Sequence, residues 1–395
     1  MKILAVERTS SFNRERILWC CQQNQVSIEE LARAAGMSNP DNLNKALSED
    51  AGLTLRQLEK IAEYFHRSLN FFFEDGAVDA EQFYSPQFRT LNNVKPNLTR
   101  KTKILIRRVE EQREIFVGLL DDDEDYESPP WVTNRIQRMG QESIKQFAAR
   151  VRIWLGFDNI KKRHTFDTYR LALERAGVLI FVTNSMAGPW QIEKGSPIRG
   201  FSLYFDLYPV VVVKKQDTPP AHCFTVMHEL GHLLLHRTSS IDEEADFFSH
   251  RKQEKEANEF AGNLLVPDHF LATIELTKFP YSAPSEYDEY LSEWRKSWGV
   301  SGDVIVRRLH DEGFITKEDY EKYLAFKRAI VPEESDKDIP RHRGTEPLRM
   351  FGSTFVSAIF HALHSDQISL YKASTYLDNL QIIDLKKLER KIAHV

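Results

Sequence analysis

The stretch FTVMHELGHLLLH, residues 224–236, restricts the fold more than any other part of the chain. Val226, Met227, Leu230, Leu233, Leu234 and Leu235 make it a helix that is apolar on most sides, so it belongs inside the protein. That burial carries His228, Glu229 and His232 inward too, at a cost unless each finds a partner. His228 and His232 lie one helical turn apart on a single face. Two neutral imidazoles so placed suit a zinc ion and leave room for a third ligand and a water. Glu229 sits about 100° round the helix, offset from the ligand face and placed to act as a general base toward that water. Satisfied core histidines are the alternative. Gly231, inside the helix, costs about 1 kcal/mol relative to alanine, which points to a close neighbour such as a strand passing over the site.

A third ligand follows from the next helix, QEKEANEFAGNLLVP (residues 253–267), which Pro267 ends. Ala257, Phe260, Ala261, Leu264 and Leu265 define its apolar face, and Glu254 lies near that face, beside Ala261 and Leu265. Glu254 is therefore the expected ligand. Glu256, the runner-up, points to the polar side with Lys252, Glu259 and Asn263 and is expected to be a solvated carboxylate. Asn258, one turn after Glu254, shares its face and is placed to orient it or a ligating histidine.

These two motifs, in this order across roughly residues 160–270, resemble the ImmA/IrrE family of zinc metallopeptidases. The resemblance implies a gluzincin-like site, with His228 and His232 as ligands, Glu229 as base and a glutamate ligand from the second helix. It also implies a strand ahead of the first helix that pairs with an extended peptide, FSLYFD or PVVVVKK here. Family members commonly cut repressor-like DNA-binding proteins, so the implied partner is a helix-turn-helix repressor. Zinc is the expected cofactor, with manganese or iron as alternatives. One departure is AHCF where the family usually carries a basic residue before the first histidine. It leaves Cys223 either a thiolate ligand or a small buried residue, and His222 shares the ambiguity. His236, one turn past His232, suits packing or support better than a fourth ligand place. The oxyanion donor stays open among Tyr204, Tyr208, His250 and His269.

Residues 1–75 read as a compact helical set resembling the Xre/Cro-type helix-turn-helix fold. Ser27 is the expected N-cap and Glu30 the capping-box partner; Ala32 and Gly36 precede a short third helix opened by Asn39 and Pro40. Nine Lys/Arg face eleven Asp/Glu in this stretch, and Lys45 is the only base between Met37 and Leu53. Phosphate contacts dominate DNA affinity, so protein docking competes with duplex binding as its task. Residues 76–139 hold a linker and an amphipathic helix whose basic half carries Arg100, Lys101, Lys103, Arg107 and Arg108. That half (100–108) is expected to be a solvated face, with contact to DNA or single-stranded nucleic acid as the alternative. The metallopeptidase domain, with strands VLIFVT, FSLYFD and PVVVVKK, spans 140–275. The last two strands form a hairpin or one bent strand. A helical extension (276–331), a polar linker (332–347) and a C-terminal helical unit (348–395) follow. The fold class is α+β and multidomain.

With 395 residues and 42% hydrophobic content the chain can build two or three cores. A net charge of −5 gives no global pull toward nucleic acid or anionic lipid. Three cysteines cannot make a disulfide framework. The opening residues lack the apolar core of a secretory signal, and the run YPVVVV is far too short to span a bilayer. The expectation is a cytoplasmic protein with no membrane partner.

Overall fold

The computed structural model describes residues 8–24, 26–48, 52–65, 67, 69–78, 98–121, 126–160, 163–184, 190–193, 195–215, 217–243, 251–329 and 343–392. The chain divides into two compact units, residues 1–92 with 96–104, and residues 93–95 with 105–395.

In the first unit, helices α1 (Arg14–Asn24), α2 (Ile28–Ala34), α3 (Asp41–Ser48) and α4 (Leu55–Phe65) follow a short strand β1 (Arg8–Thr9). That strand pairs antiparallel with β2 (Leu53–Thr54). Ile17, Cys20, Leu31, Leu43, Leu58, Ile61 and Phe72 are fully buried and form the core. Ser27 caps α2 by accepting from the Glu30 amide at 3.1 Å. The Glu30 side chain accepts from the Tyr64 hydroxyl at 2.5 Å and does not close the capping box expected of it. Gly36 turns the chain between α2 and α3 with φ at +75°, where other residues are strained.

The boundary between the units falls inside α5 (Arg100–Asp121). Two of its basic residues depart from the expected solvated face. Arg100 lies over the Tyr64 ring, 3.5 Å from its centroid, and Lys103 donates to the Gln23 carbonyl at 2.7 Å. Both cations are thus engaged within the first unit, Arg100 over an aromatic face and Lys103 on a backbone carbonyl.

The second unit is mostly helical around a small mixed sheet of four strands. Strands β3 (Leu179–Val182), β4 (Ile198–Leu203), β5 (Val210–Val213) and β6 (Ser240–Glu243) lie in the order β3-β5-β4-β6, with only the β3–β5 pair parallel. FSLYFD and PVVVVKK thus form a hairpin. Every residue of β3 and β5 is buried, so both faces of the sheet are covered. Around it lie α6 (Ile144–Trp154), α7 (Phe166–Ala176), α8 (Pro219–Gly231) and α9 (Lys252–Leu265). Thr218 caps α8, and Pro219 at its first position fits the missing donor there. The last turn, His232–His236, widens to π-helical and ends at Arg237 with φ at +53°. Helices α10 (Gly302–Asp311) and α11 (Lys317–Ala329) complete the core shared with α6, α8 and α9. The chain's last helices are α12 (Glu346–His364), α13 (Leu370–Tyr376) and α14 (Ile382–Ile392). α12 kinks at Gly352, where φ is +83°; a side chain there would run into Glu174. No helix among the described residues is long and apolar enough to cross a membrane.

Candidate metal centre

Helix α8 can lie close against α9 because residue 231 has no side chain. A Cβ there would stand 3.1 Å from Phe260 Cδ1 and 3.2 Å from Ala257 Cα. The close neighbour that Gly231 implied is therefore a helix, whereas a strand was expected. The approach brings Glu254 to the face that carries the histidines. His228 Nε2 and His232 Nε2 are 3.1 Å apart, and Glu254 Oε2 lies 3.2 Å from the first and 3.4 Å from the second. That oxygen is buried and makes no hydrogen bond. Both histidines are about as buried as core leucines.

Among the described residues these three side chains form the group able to hold a metal ion. The spacing fits one. Ligand atoms about 2.0–2.1 Å from a tetrahedral ion stand roughly 3.3 Å from each other. The charge fits too. Burial works to lower the His228 pKa, but Asp242, Glu254 and Glu229 outweigh it and push it up to about 9. The surrounding carboxylates call for a positive charge at this spot.

The outer nitrogens are engaged as well. His228 Nδ1 lies 3.1 Å from Asn258 Oδ1, the pairing that the spacing of Asn258 suggested. His232 Nδ1 lies 3.1 Å from His236 Nδ1, and His236 Nε2 lies 3.1 Å from Glu256 Oε2. Glu256 thus stands neither in the ligand group nor free in solvent as expected; the π-helical turn brings His236 to it.

Glu229 is fully buried. Its Oε2 accepts from Ser202 Oγ at 2.5 Å and from Ser240 Oγ, while Oε1 has no protein partner. Burial raises its pKa and Asp242 adds to this; His228 and the two serines oppose, and the net position is about 7. Asp242 accepts from Thr225 Oγ1 at 3.3 Å and places Oδ1 3.9 Å from His228 Nε2. Ser202, Ser240 and Asp242 went unrecognised in the sequence. Their signal is faint: polar residues at alternate positions of a buried strand pair.

The remaining candidates are engaged with other groups. Cys223 is in the main core, its thiol pushed up to about 12 by burial, and the structure does not bring it into the ligand group. His222 Nε2 is 2.7 Å from the Lys214 carbonyl. The Tyr204 hydroxyl accepts from Arg135 and donates to Asp206. Tyr208 receives a hydrogen bond from Tyr126 and packs edge-on to Phe116. His269 is mostly exposed, 4.0 Å from Asp158. His250 is outside the described residues. The peptide-pairing strand also needs correcting. FSLYFD (β4) and PVVVVKK (β5) are each paired on both sides, so neither has backbone groups to offer; among the described residues β3 and β6 are the outer strands.

The model of the IrrE N-terminal-like domain, peptidase family M78, matches residues 174–310. Over 122 residues the chain is 32% identical to uncharacterized immunity region protein 2 of Bacillus phage phi105, a stretch covering 30% of this chain and 71% of that protein. The chain belongs to the ImmA/IrrE family. No solved structure matches it. The part of this ImmA/IrrE-family chain matched as a peptidase domain contains the whole sheet, α8 and α9, and so every residue of the candidate centre.

Proposed function

We propose that this protein is a zinc-dependent endopeptidase that acts in the cytoplasm on a repressor-like DNA-binding protein. The observation that carries this is the convergence of His228 Nε2, His232 Nε2 and Glu254 Oε2 at about tetrahedral ligand spacing beside a carboxylate with one unused oxygen. These three residues would hold the ion, and manganese or iron would also fit the donor set. When bound, the ion would polarise a peptide carbonyl and acidify a water. Glu229 keeps Oε2 pinned by Ser202 and Ser240, so Oε1 is the atom left to take the water's proton and return it to the leaving amine. Burial holds the Glu229 carboxyl above the usual carboxylate range, which suits a group that takes a proton and gives it back. We assign β6, whose Ser240 holds Glu229, as the strand along which an extended substrate is laid. The repressor-like target rests on the family and on the immunity-region relative. We read the first unit as a helix-turn-helix module and assign it to protein docking, because α3 exposes one lysine and one aspartate where a DNA reader would need several cations.

The test compares zinc-loaded protein with Glu229→Gln in a lysate of the source cell, with and without single-stranded DNA, mapping new protein N-termini by mass spectrometry. A small set of termini made only by the wild type, in a helix-turn-helix protein, supports the reading. The same termini from both proteins, with metal bound in each, would sink it.

A further inference from the structure

His236 is not needed by the mechanism above, yet its side chain is nearly as buried as the ligands, at 7% exposed, and has both ring nitrogens engaged. We infer that His236, anchored by Glu256, is a positioning residue that fixes the tautomer and ring orientation of His232 for the metal. This rests on the reading of His228, His232 and Glu254 as ligands.

The tautomers follow from the contacts. If His232 Nε2 offers its lone pair to the ion, its proton is on Nδ1, and that Nδ1–H donates to His236 Nδ1, 3.1 Å away. His236 must then carry its own proton on Nε2, which donates to Glu256 Oε2 at 3.1 Å. The chain ends on a carboxylate, so each link has a definite donor and acceptor. With both nitrogens used, His236 has no lone pair left for the ion, which excludes it as a fourth ligand. The two ligating histidines are thereby supported differently. His228 rests on the neutral amide of Asn258, whereas His232 rests on an imidazole that itself faces a carboxylate. Such a chain raises the basicity of the ligand at its head. The local backbone explains the contact: the π-helical turn His232–His236 sets the two rings 5.1 Å apart between centroids. Glu256 comes two residues after Glu254 on α9, so one helix would supply both the third ligand and the anchor of this support.

The experiment measures zinc affinity by competition with a chromophoric chelator for the full chain and for His236→Ala, His236→Gln, Glu256→Ala and His232→Ala. Visible spectra of the cobalt-substituted forms and circular dichroism accompany it. We expect His236→Ala to bind about 10- to 100-fold more weakly with an altered cobalt spectrum, and Glu256→Ala about tenfold more weakly. His236→Gln should recover most of the loss, since its amide oxygen can accept from His232 Nδ1–H. Wild-type affinity and spectrum in His236→Ala, while His232→Ala loses the metal, would overturn the inference alone. So would a loss that His236→Gln does not restore. Failure of the wild type to bind zinc, or undiminished binding by His232→Ala, would instead overturn the ligand assignment beneath it.

Discussion

Helix α3 buries only Leu43 and Ala46 and leaves Asp41, Asn42, Asn44 and Lys45 in solvent. Helix α8 buries every residue from His222 to Gly231, among them two histidines and Glu229. Both stretches stood out in the sequence, for opposite reasons. A polar side chain on α3 is satisfied by water and implies nothing about its neighbours. On α8 each polar group had to be met by another part of the chain, and the partners say what the group is for. Asn258 meets His228, Lys214 meets His222 through its carbonyl, and Ser202 and Ser240 meet one oxygen of Glu229. The other oxygen was left unmet. Dense burial of polar groups with one unused atom marks chemistry more sharply than any surface pattern.

Substitutions in the two helices and around them should separate accordingly. Glu229→Gln should retain zinc and lose cleavage by at least about 10³-fold, the scale of a lost general base; His228→Ala should lose the metal itself, read by elemental analysis. Gly231→Val should destabilise the second unit by about 2 kcal/mol, because the new side chain must displace Phe260 and Ala257. An unchanged melting temperature would mean α8 and α9 are not in close contact. Ser202→Ala leaves Glu229 with Ser240 alone, and kcat should drop about tenfold, or about 1.4 kcal/mol, at unchanged metal content. In the first unit Gly36→Ala should cost about 1 kcal/mol, since alanine dislikes the left-handed backbone there. Lys45→Ala on α3 should change stability by less than about 0.5 kcal/mol. A larger loss in denaturant titration would place α3 in an unrecognised contact and erase the contrast with α8.

Helical periodicity placed Glu254 on the face of α9 that meets α8, because a helix face is a local property of the sequence, and Pro267 marked the helix end to within two residues of Leu265. The cap at Ser27 and the strand over 179–182 were legible for the same reason. Strand β6 was not. Its residues Ser240, Ile241, Asp242 and Glu243 look like a surface turn, and Ser240 and Asp242 are buried only because Glu229, His228 and Thr225 come from α8 to meet them. Glu256 was misjudged in the same way: α9 alone puts it on the polar side, and the widened turn at His236 gives it a partner. Arg100 and Lys103 read as solvent-facing in the sequence, whereas Tyr64 and Gln23 engage them in the structure. Each miss involves a residue whose partner lies on another element, which periodicity cannot see.

The outer strand β3 does not present a bare edge. On β3, Ile180 accepts from Arg170, and just past the strand Thr183 accepts from Arg349 of α12. Arg170 also donates to the Arg349 and Met350 carbonyls, so α12 and a single guanidinium seal that side against strand addition. The C-terminal helices thus close the outer side of β3: a chain cut before Glu346 would lose the Arg349 cover of the Thr183 carbonyl and keep only Arg170 of α7 on Ile180.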